Sequence, residues 1–262
     1  MKTFLRWAGS KRQLLPHLKK YVPNTYERYV EPFAGSACLF FDLAPAAAII
    51  GDINGDLIDT YKTIQRHWKR VAEALEKLVP CQKTYYGLRS CQPNVLSRTE
   101  RAARFIYLNR FCFNGLYRTN NRGEFNVPYG GEGTGRMPSH KELREAAALL
   151  RRATLVHGSF EASLSMVKKG DFVYMDPPYV RKHKRSFTEY AALDFGVQQL
   201  VLLRRWMESL RRQNIPFLVT YTDCAEARML SKGFRCNRVQ TRRCISGFVN
   251  TRKTVWDVII HP

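Results

Sequence analysis

An α/β fold with a doubly wound, mostly parallel sheet is predicted by three features of this 262-residue chain. Apolar runs of strand length alternate with stretches of helix length. Two of those runs end on an acid, at Asp52 and Asp176. The first run feeds a turn of small residues, Phe33-Ala34-Gly35-Ser36-Ala37, at the place where open sheets admit ligands.

The elements follow in order. Thr3 to Lys11 is an aromatic and basic lead-in, and a helix is predicted over about 11–21. Tyr29-Val30-Glu31-Pro32 reads as a strand entering the small turn, with a helix over 38–43 behind it. A second strand covers 47–52, and Asn54 can cap a helix running to about Trp68. Another helix is expected over 69–78, stopped by Pro80. Beyond it the rhythm lapses. Residues 81–138 hold one clear helix, capped by Ser97 or Thr99 and ending near Phe111, then a Gly-, Asn-, Pro- and Arg-rich segment. Alternation resumes with a helix at 139–152, strands at 154–158 and 171–175, a helix at 197–213 and a strand at 216–221. Two short strands near 234–240 and 254–260 read as a closing hairpin. Residues 1–80 and 139–262 are therefore expected to form one domain, with 81–138 an inserted subdomain of a helix plus a β-hairpin.

Charge narrows the partner. Lys and Arg total 43 against 22 Asp and Glu, for a net charge of +21 and a pI near 10.0. Such an excess calls for a polyanion. No stretch approaches the ~18 continuous apolar residues of a membrane span, and no signal-peptide pattern opens the chain, so nucleic acid in the cytoplasm is expected and a membrane is not. The middle segment alone carries nine basic and three acidic groups, and a dense run, Arg181-Lys182-His183-Lys184-Arg185, reads either as a solvated loop or as phosphate contacts. Seven cysteines form no C-x-x-C, and the six histidines are scattered. Neither a disulfide framework nor a metal site is expected.

Asp176-Pro177-Pro178-Tyr179 follows the strand at 171–175. Two prolines remove two N–H donors, and Pro177 confines Asp176 to extended geometry. The result is a stiff, acceptor-rich lip with an aromatic ring one step beyond. An exocyclic amino group suits it: Asp176 and the Pro177 carbonyl accept its two hydrogens while Tyr179 stacks on its ring. The same tetrapeptide also reads as a plain proline turn.

At the other end, the Gly35 turn lacks the full G-x-G-x-x-G of dinucleotide sites, and Asp52 stands 17 residues on, where an acid accepts from ribose hydroxyls. Tight packing and a helix cap would explain both features as well. Trp7 and Lys11 on the lead-in add an aromatic wall and a carboxylate-binding cation. A nucleoside with a charged amino-acid tail, S-adenosylmethionine, fits that set.

With these motifs in one chain, the sequence resembles the Dam family of DNA adenine-N6 methyltransferases (the D12 class), along nearly its whole length. The motifs are Phe4-Leu5-Arg6-Trp7-Ala8-Gly9-Ser10-Lys11, Glu31-Pro32-Phe33-Ala34-Gly35-Ser36 and Asp52-Ile53-Asn54-Gly55-Asp56-Leu57-Ile58. The middle is the most specific, from Tyr107-Leu108-Asn109-Arg110 through Asn114-Gly115-Leu116-Tyr117-Arg118 to Arg122-Gly123-Glu124-Phe125-Asn126-Val127-Pro128-Tyr129-Gly130. Arg242-Arg243-Cys244-Ile245-Ser246 and Thr251-Arg252-Lys253 are similar to the family's closing hairpin.

The resemblance implies a Rossmann-like class I methyltransferase fold with an inserted DNA-recognition subdomain, S-adenosylmethionine as methyl donor and double-stranded DNA as partner. It implies Trp7, Lys11, Phe33, Gly35, Asp52, Phe160 and Asp176 as cofactor contacts. Asp176, Pro177 and Tyr179 would be catalytic, and Asn114, Leu116, Arg118, Asn120 and Arg122 would face DNA, with a GATC-like target. Ala37 stands where the family usually has a second glycine. The expected protein is a bacterial or phage-encoded monomer, with a transient dimer as the alternative. Other acceptors (cytosine N4 or RNA) and a non-catalytic DNA-binding relative stay open on sequence grounds.

Overall fold

Successive residues along the central strands enter two different cores, which makes the sheet a middle layer. Tyr29, Ile50, Phe172 and Tyr174 join one buried cluster, and Val30, Ile49, Val173 and Met175 join the other. This period of two, buried on both sides, is what near-continuous apolar strands encode. The computed structural model describes residues 3–120, 122–180, 195–243 and 253–262. The basic run at 181–185 and the closing-hairpin residues Cys244, Ile245, Ser246, Thr251 and Arg252 lie outside them.

The strands are β1 (Arg28–Glu31), β2 (Ala48–Asp52), β3 (Ala153–His157), β4 (Asp171–Met175), β5 (Phe217–Thr222), β6 (Arg235–Arg243) and β7 (Lys253–His261). Their spatial order is β3-β2-β1-β4-β5-β7-β6. The first five are parallel, while β7 runs antiparallel between β5 and β6. The chain winds outward from β1 in one direction and from β4 in the other, so the sheet's switch point lies between those two strands. In open α/β sheets that crevice is where ligands bind.

Helices α1 (Leu15–Leu18), α2 (Cys38–Leu43), α3 (Gly55–Glu76), α4 (Gln82–Ser90), α5 (Arg98–Phe111) and α6 (His140–Leu150) precede β3. The later ones are α7 (Phe160–Leu164), α8 (Val197–Arg212) and α9 (Ala225–Ser231). Helices α2, α3, α5 and α6 supply the first core, and α7, α8 and α9 the second. Ser97 and Ser139 open α5 and α6 with full capping boxes to Glu100 and Glu142. Among the described residues no helix is long and apolar enough to cross a membrane.

Several elements depart from expectation. The helix expected over 11–21 is a 3₁₀ turn at Lys11–Leu14 followed by the short α1. The two helices expected over 54–78 are one 22-residue element with a kink at His67 (φ −135°, ψ 31°). Helix α4 was not expected: its start is capped by a sulfur, Thr84 N–H to Cys81 Sγ at 3.5 Å, and Gly87 sits inside it. Burial of Tyr85 holds it against the core. Helices α7 and α9 are too short to carry a period. The hairpin expected after α5 is, among the described residues, two single antiparallel bridges, Cys112 with Tyr129 and Thr119 with Phe125.

One ion pair sets the register of the two site-bearing strands. Arg28 on β1 faces Asp171 on β4, donating Nε to Oδ1 at 2.9 Å and Nη2 to Oδ2 at 2.8 Å. Asp171 is fully buried and accepts a third bond from the Lys168 N–H. Arg28→Ala would leave that carboxylate without its cation, and is expected to destabilise the fold by about 3 kcal/mol in urea unfolding.

Candidate active site and nucleic-acid interface

The turn after β1 is shaped by two left-handed residues, Gly35 (φ +46°) and Ala37 (φ +48°). The Gly35 N–H donates to Asp52 Oδ2 at 2.9 Å, and its carbonyl accepts the Tyr61 hydroxyl at 2.7 Å. The other Asp52 oxygen accepts the Asn54 N–H at 2.9 Å. Burial pushes the Asp52 carboxyl up, and these backbone donors only partly oppose it. Asp52 therefore ties the turn to the end of β2 as well as bordering the cavity.

Gly35 leaves room for an indole. A Cβ built there would lie 2.8 Å from Trp7 Cδ1 and Nε1. Trp7 is in turn stacked on Tyr117, with centroids 6.0 Å apart. The lead-in carrying Trp7 is held by Asn109 Oδ1, which accepts the Arg6 N–H at 2.8 Å, and by Arg6 Nη1 reaching the Arg110 and Thr134 carbonyls, each at 2.9 Å. Gly35→Ala is expected to cost about 1–2 kcal/mol from the left-handed backbone alone. It should also displace the indole, as urea unfolding and tryptophan fluorescence would read.

Opposite the turn, β4 ends in Asp176-Pro177-Pro178-Tyr179. Lys11 Nζ lies 2.6 Å from Asp176 Oδ1, and the Thr220 hydroxyl donates to the same oxygen at 2.7 Å. Tyr174 braces Thr220 at 3.1 Å. Lys11 is only 6% exposed and also donates to the Gly9 carbonyl at 3.1 Å. Burial works against its charge, yet the attraction of Asp176 and Tyr179 and the Asp176 hydrogen bond outweigh it and raise its pKa. The lead-in cation expected to meet a ligand's carboxylate is thus engaged by the half-buried Asp176 carboxylate. Tyr179 packs edge-on to Tyr221 at 5.0 Å, and the Tyr221 hydroxyl accepts the Val180 N–H at 3.0 Å, fixing the far side of the lip.

One cavity of about 440 Å³ brings Trp7, Lys11, Phe33, Gly35, Asp52, Phe160, Asp176, Pro177 and Tyr179 together. Phe33 stacks on Phe160 at 5.2 Å, and Phe195 closes on Phe33 edge-on at 5.8 Å. Asp176 faces the opening it shares with the glycine turn and is not turned into the core. Sequence reasoning assigned nothing to Glu31, which lies at the end of β1 and lines this cavity. Burial drives its carboxyl well above the usual range, Asp176 and Asp52 add repulsion, and the Tyr29 hydroxyl bond at 2.9 Å opposes both. Its position in Glu31-Pro32-Phe33-Ala34-Gly35-Ser36 was the available signal.

A second cavity, about 590 Å³, adjoins the first across Lys11 and Tyr179 and is bordered by Asn114 and Leu116. Arg118, Asn120 and Arg122 do not line either cavity. They stand exposed on the arm after α5. Arg118 Nε donates to Asn126 Oδ1 at 2.8 Å, and Asn120 Nδ2 to Glu124 at 2.8 Å, so the arm orders its own polar groups. No group of three or more potential metal ligands occurs among the described residues.

A switch-point cavity with an acid-proline lip, a glycine turn and an exposed basic arm suits a transfer enzyme working on nucleic acid. Residues 7–245 match the family described as D12 class N6 adenine-specific DNA methyltransferase. The chain belongs to this family. It is 34% identical over 263 residues to the DNA adenine methylase of Escherichia coli K12, covering 98% of this chain and 94% of that one. It is 32% identical over 269 residues to the type II methyltransferase M1.LlaDCHI of Lactococcus lactis subsp. cremoris (99% and 95% covered). A third relative, M.MjaIII of Methanocaldococcus jannaschii, is 31% identical over 284 residues (99% and 98%). The D12 family and its relatives make the chain an adenine-specific DNA methyltransferase, and its seven-stranded sheet is the Rossmann-like methyltransferase architecture.

Proposed function

We propose that this D12 methyltransferase transfers a methyl group from S-adenosylmethionine to N6 of an adenine flipped out of duplex DNA, at a GATC-like site, by direct displacement. The observation that carries the reading is the single cavity in which Asp176 stands across from the Gly35 turn. The lining fits the donor: Phe33 and Phe160 offer ring faces for an adenine, Asp52 an acceptor for ribose hydroxyls, and Trp7 a wall beside the turn. Bound S-adenosylmethionine supplies a methyl group on a cationic sulfur, which keeps the C–S electron pair as the N–C bond forms.

The remaining work falls to the chain. An adenine N6 is a poor nucleophile because its lone pair is delocalised into the ring. Asp176 and the Pro177 carbonyl accept its two hydrogens and concentrate that pair on nitrogen, an effect strongest in the transition state. N6 becomes cationic on gaining the methyl group and then sheds one proton, which Asp176 is placed to accept. Tyr179 stacks on the extruded base, offsetting a flipping cost of roughly a few kcal/mol. No covalent intermediate with the enzyme is required.

Residues 81–138 serve as the recognition subdomain in this reading. Asn114 and Leu116 border the base's route, while Arg118, Asn120 and Arg122 face the duplex. Arg118→Ala is expected to reduce discrimination between target and non-target duplexes by about 1–3 kcal/mol, the worth of a bidentate base contact. An equal loss of affinity on all sequences would make Arg118 a phosphate contact. The reaction itself is tested by incubating the protein with GATC-containing and scrambled duplexes and tritiated donor, then digesting to nucleosides. Label in N6-methyladenine from the GATC duplex is expected. Label in N4-methylcytosine, or none, would overturn the assignment.

A further inference from the structure

Asp176 Oδ1 accepts from two donors at once, the Lys11 ammonium at 2.6 Å and the Thr220 hydroxyl at 2.7 Å. A substrate amino group that uses this oxygen must displace one of them. Thr220 cannot easily yield: it is fully buried on β5 and braced by Tyr174. Lys11 sits on a flexible four-carbon stem and borders both cavities. An ammonium leaving Asp176 inside the protein needs another anion, because an unpaired buried charge is costly.

One is at hand. Asp257 on β7 is 2% exposed and borders the second cavity but not the first. The Thr241 hydroxyl on β6 donates to its Oδ2 at 2.7 Å, which fixes the carboxylate. Register places Asp257 opposite Thr222, two residues beyond Thr220 on β5, so both carboxylates stand at the same end of the sheet. Resting on the reaction proposed above, we propose that Lys11 is a two-position cation. Its ammonium holds Asp176 until the substrate amine takes that oxygen, then turns to Asp257, which makes Asp257 a positioning residue for methyl transfer. Asp257 already contributes to the raised pKa of Lys11, after Asp176 and Tyr179.

The test begins with wild-type N6 methylation in the same assay. Absence of product there defeats the reaction itself, whereas the variants below bear on Lys11 and Asp257. Asp257→Asn removes the charge but can keep the Thr241 bond. It should lower kcat about ten-fold while KM for duplex holds, and Asp257→Glu should recover most of the loss. In a Lys11→Met background, where no cation needs a second station, adding Asp257→Asn should cost little more. An unchanged kcat in Asp257→Asn, or the same fold loss in both backgrounds, overturns the proposal. Should Asp257→Asn fail to fold, the wild-type protein crystallised with target duplex and a non-transferring donor analogue decides. Lys11 Nζ hydrogen-bonded to Asp257 supports the two-position reading, and Nζ still on Asp176 sinks it.

Discussion

Asp176→Ala is expected to lower single-turnover methyl transfer by about 10³-fold while duplex binding stays within a few-fold of wild type. The size follows from the kind of interaction removed. A fixed acceptor aimed at charge that develops in the transition state is worth roughly 10²–10³ in rate, and in the proposed reaction Asp176 has the further task of taking the proton N6 sheds. The selectivity follows from geometry, since the carboxylate lines the cavity and the exposed basic arm lies elsewhere. The variant also strips Lys11 of its closest anion, so some loss of thermal stability should accompany the loss of rate. Asp176→Asn separates the two: the amide keeps an oxygen for Lys11 and Thr220 but cannot accept a proton. Turnover within about three-fold of wild type in both variants would remove Asp176 from the chemistry.

The parts of the site that were legible in the sequence are those encoded locally. A strand's apolar run, the residue that ends it and the turn behind it are neighbours in the chain. That is why the sequence places Gly35 in the turn behind a strand and Asp52 and Asp176 at strand ends. Asn54 could likewise be read as a helix cap and the cap of α5 narrowed to Ser97 or Thr99, of which Ser97 is the one used, because a cap and the N–H it accepts are three residues apart.

What escaped was set by register between distant strands. That Thr220 reaches Asp176 depends on β5 lying beside β4, and that Asp257 stands near Lys11 depends on β7 inserting between β5 and β6. A closing hairpin was evident from the sequence, but not which of its strands joins the sheet. Helix α4 escaped for a different reason. Its cap is a cysteine sulfur and its stability comes from Tyr85 packing under the Val127 and Pro128 carbonyls, a tertiary contact that propensity does not register.

Duplex affinity is expected to fall roughly 10³–10⁵-fold between 50 and 200 mM salt, the loss that goes with six to ten neutralised phosphates. The formal excess of 43 basic over 22 acidic groups overstates what is available for this. Arg28, Arg204 and Arg238 are paired with Asp171, Glu208 and Asp223, and Arg136 with Glu142, so they release few counterions on binding. Lys11 is held inside by Asp176. The contacts must come instead from exposed cations such as Arg122, whose backbone rather than guanidinium is tied into the arm by Asn120. Arg122→Ala should therefore weaken binding equally on every sequence and reduce the salt slope by about one. A wild-type slope near zero, measured by fluorescence anisotropy on a labelled duplex, would mean that the positive surface is merely solvated. Affinity would then have to come from base contacts alone, and the arm carrying Arg118 and Asn120 is too small for that, since each good bidentate pair supplies only about 1–3 kcal/mol.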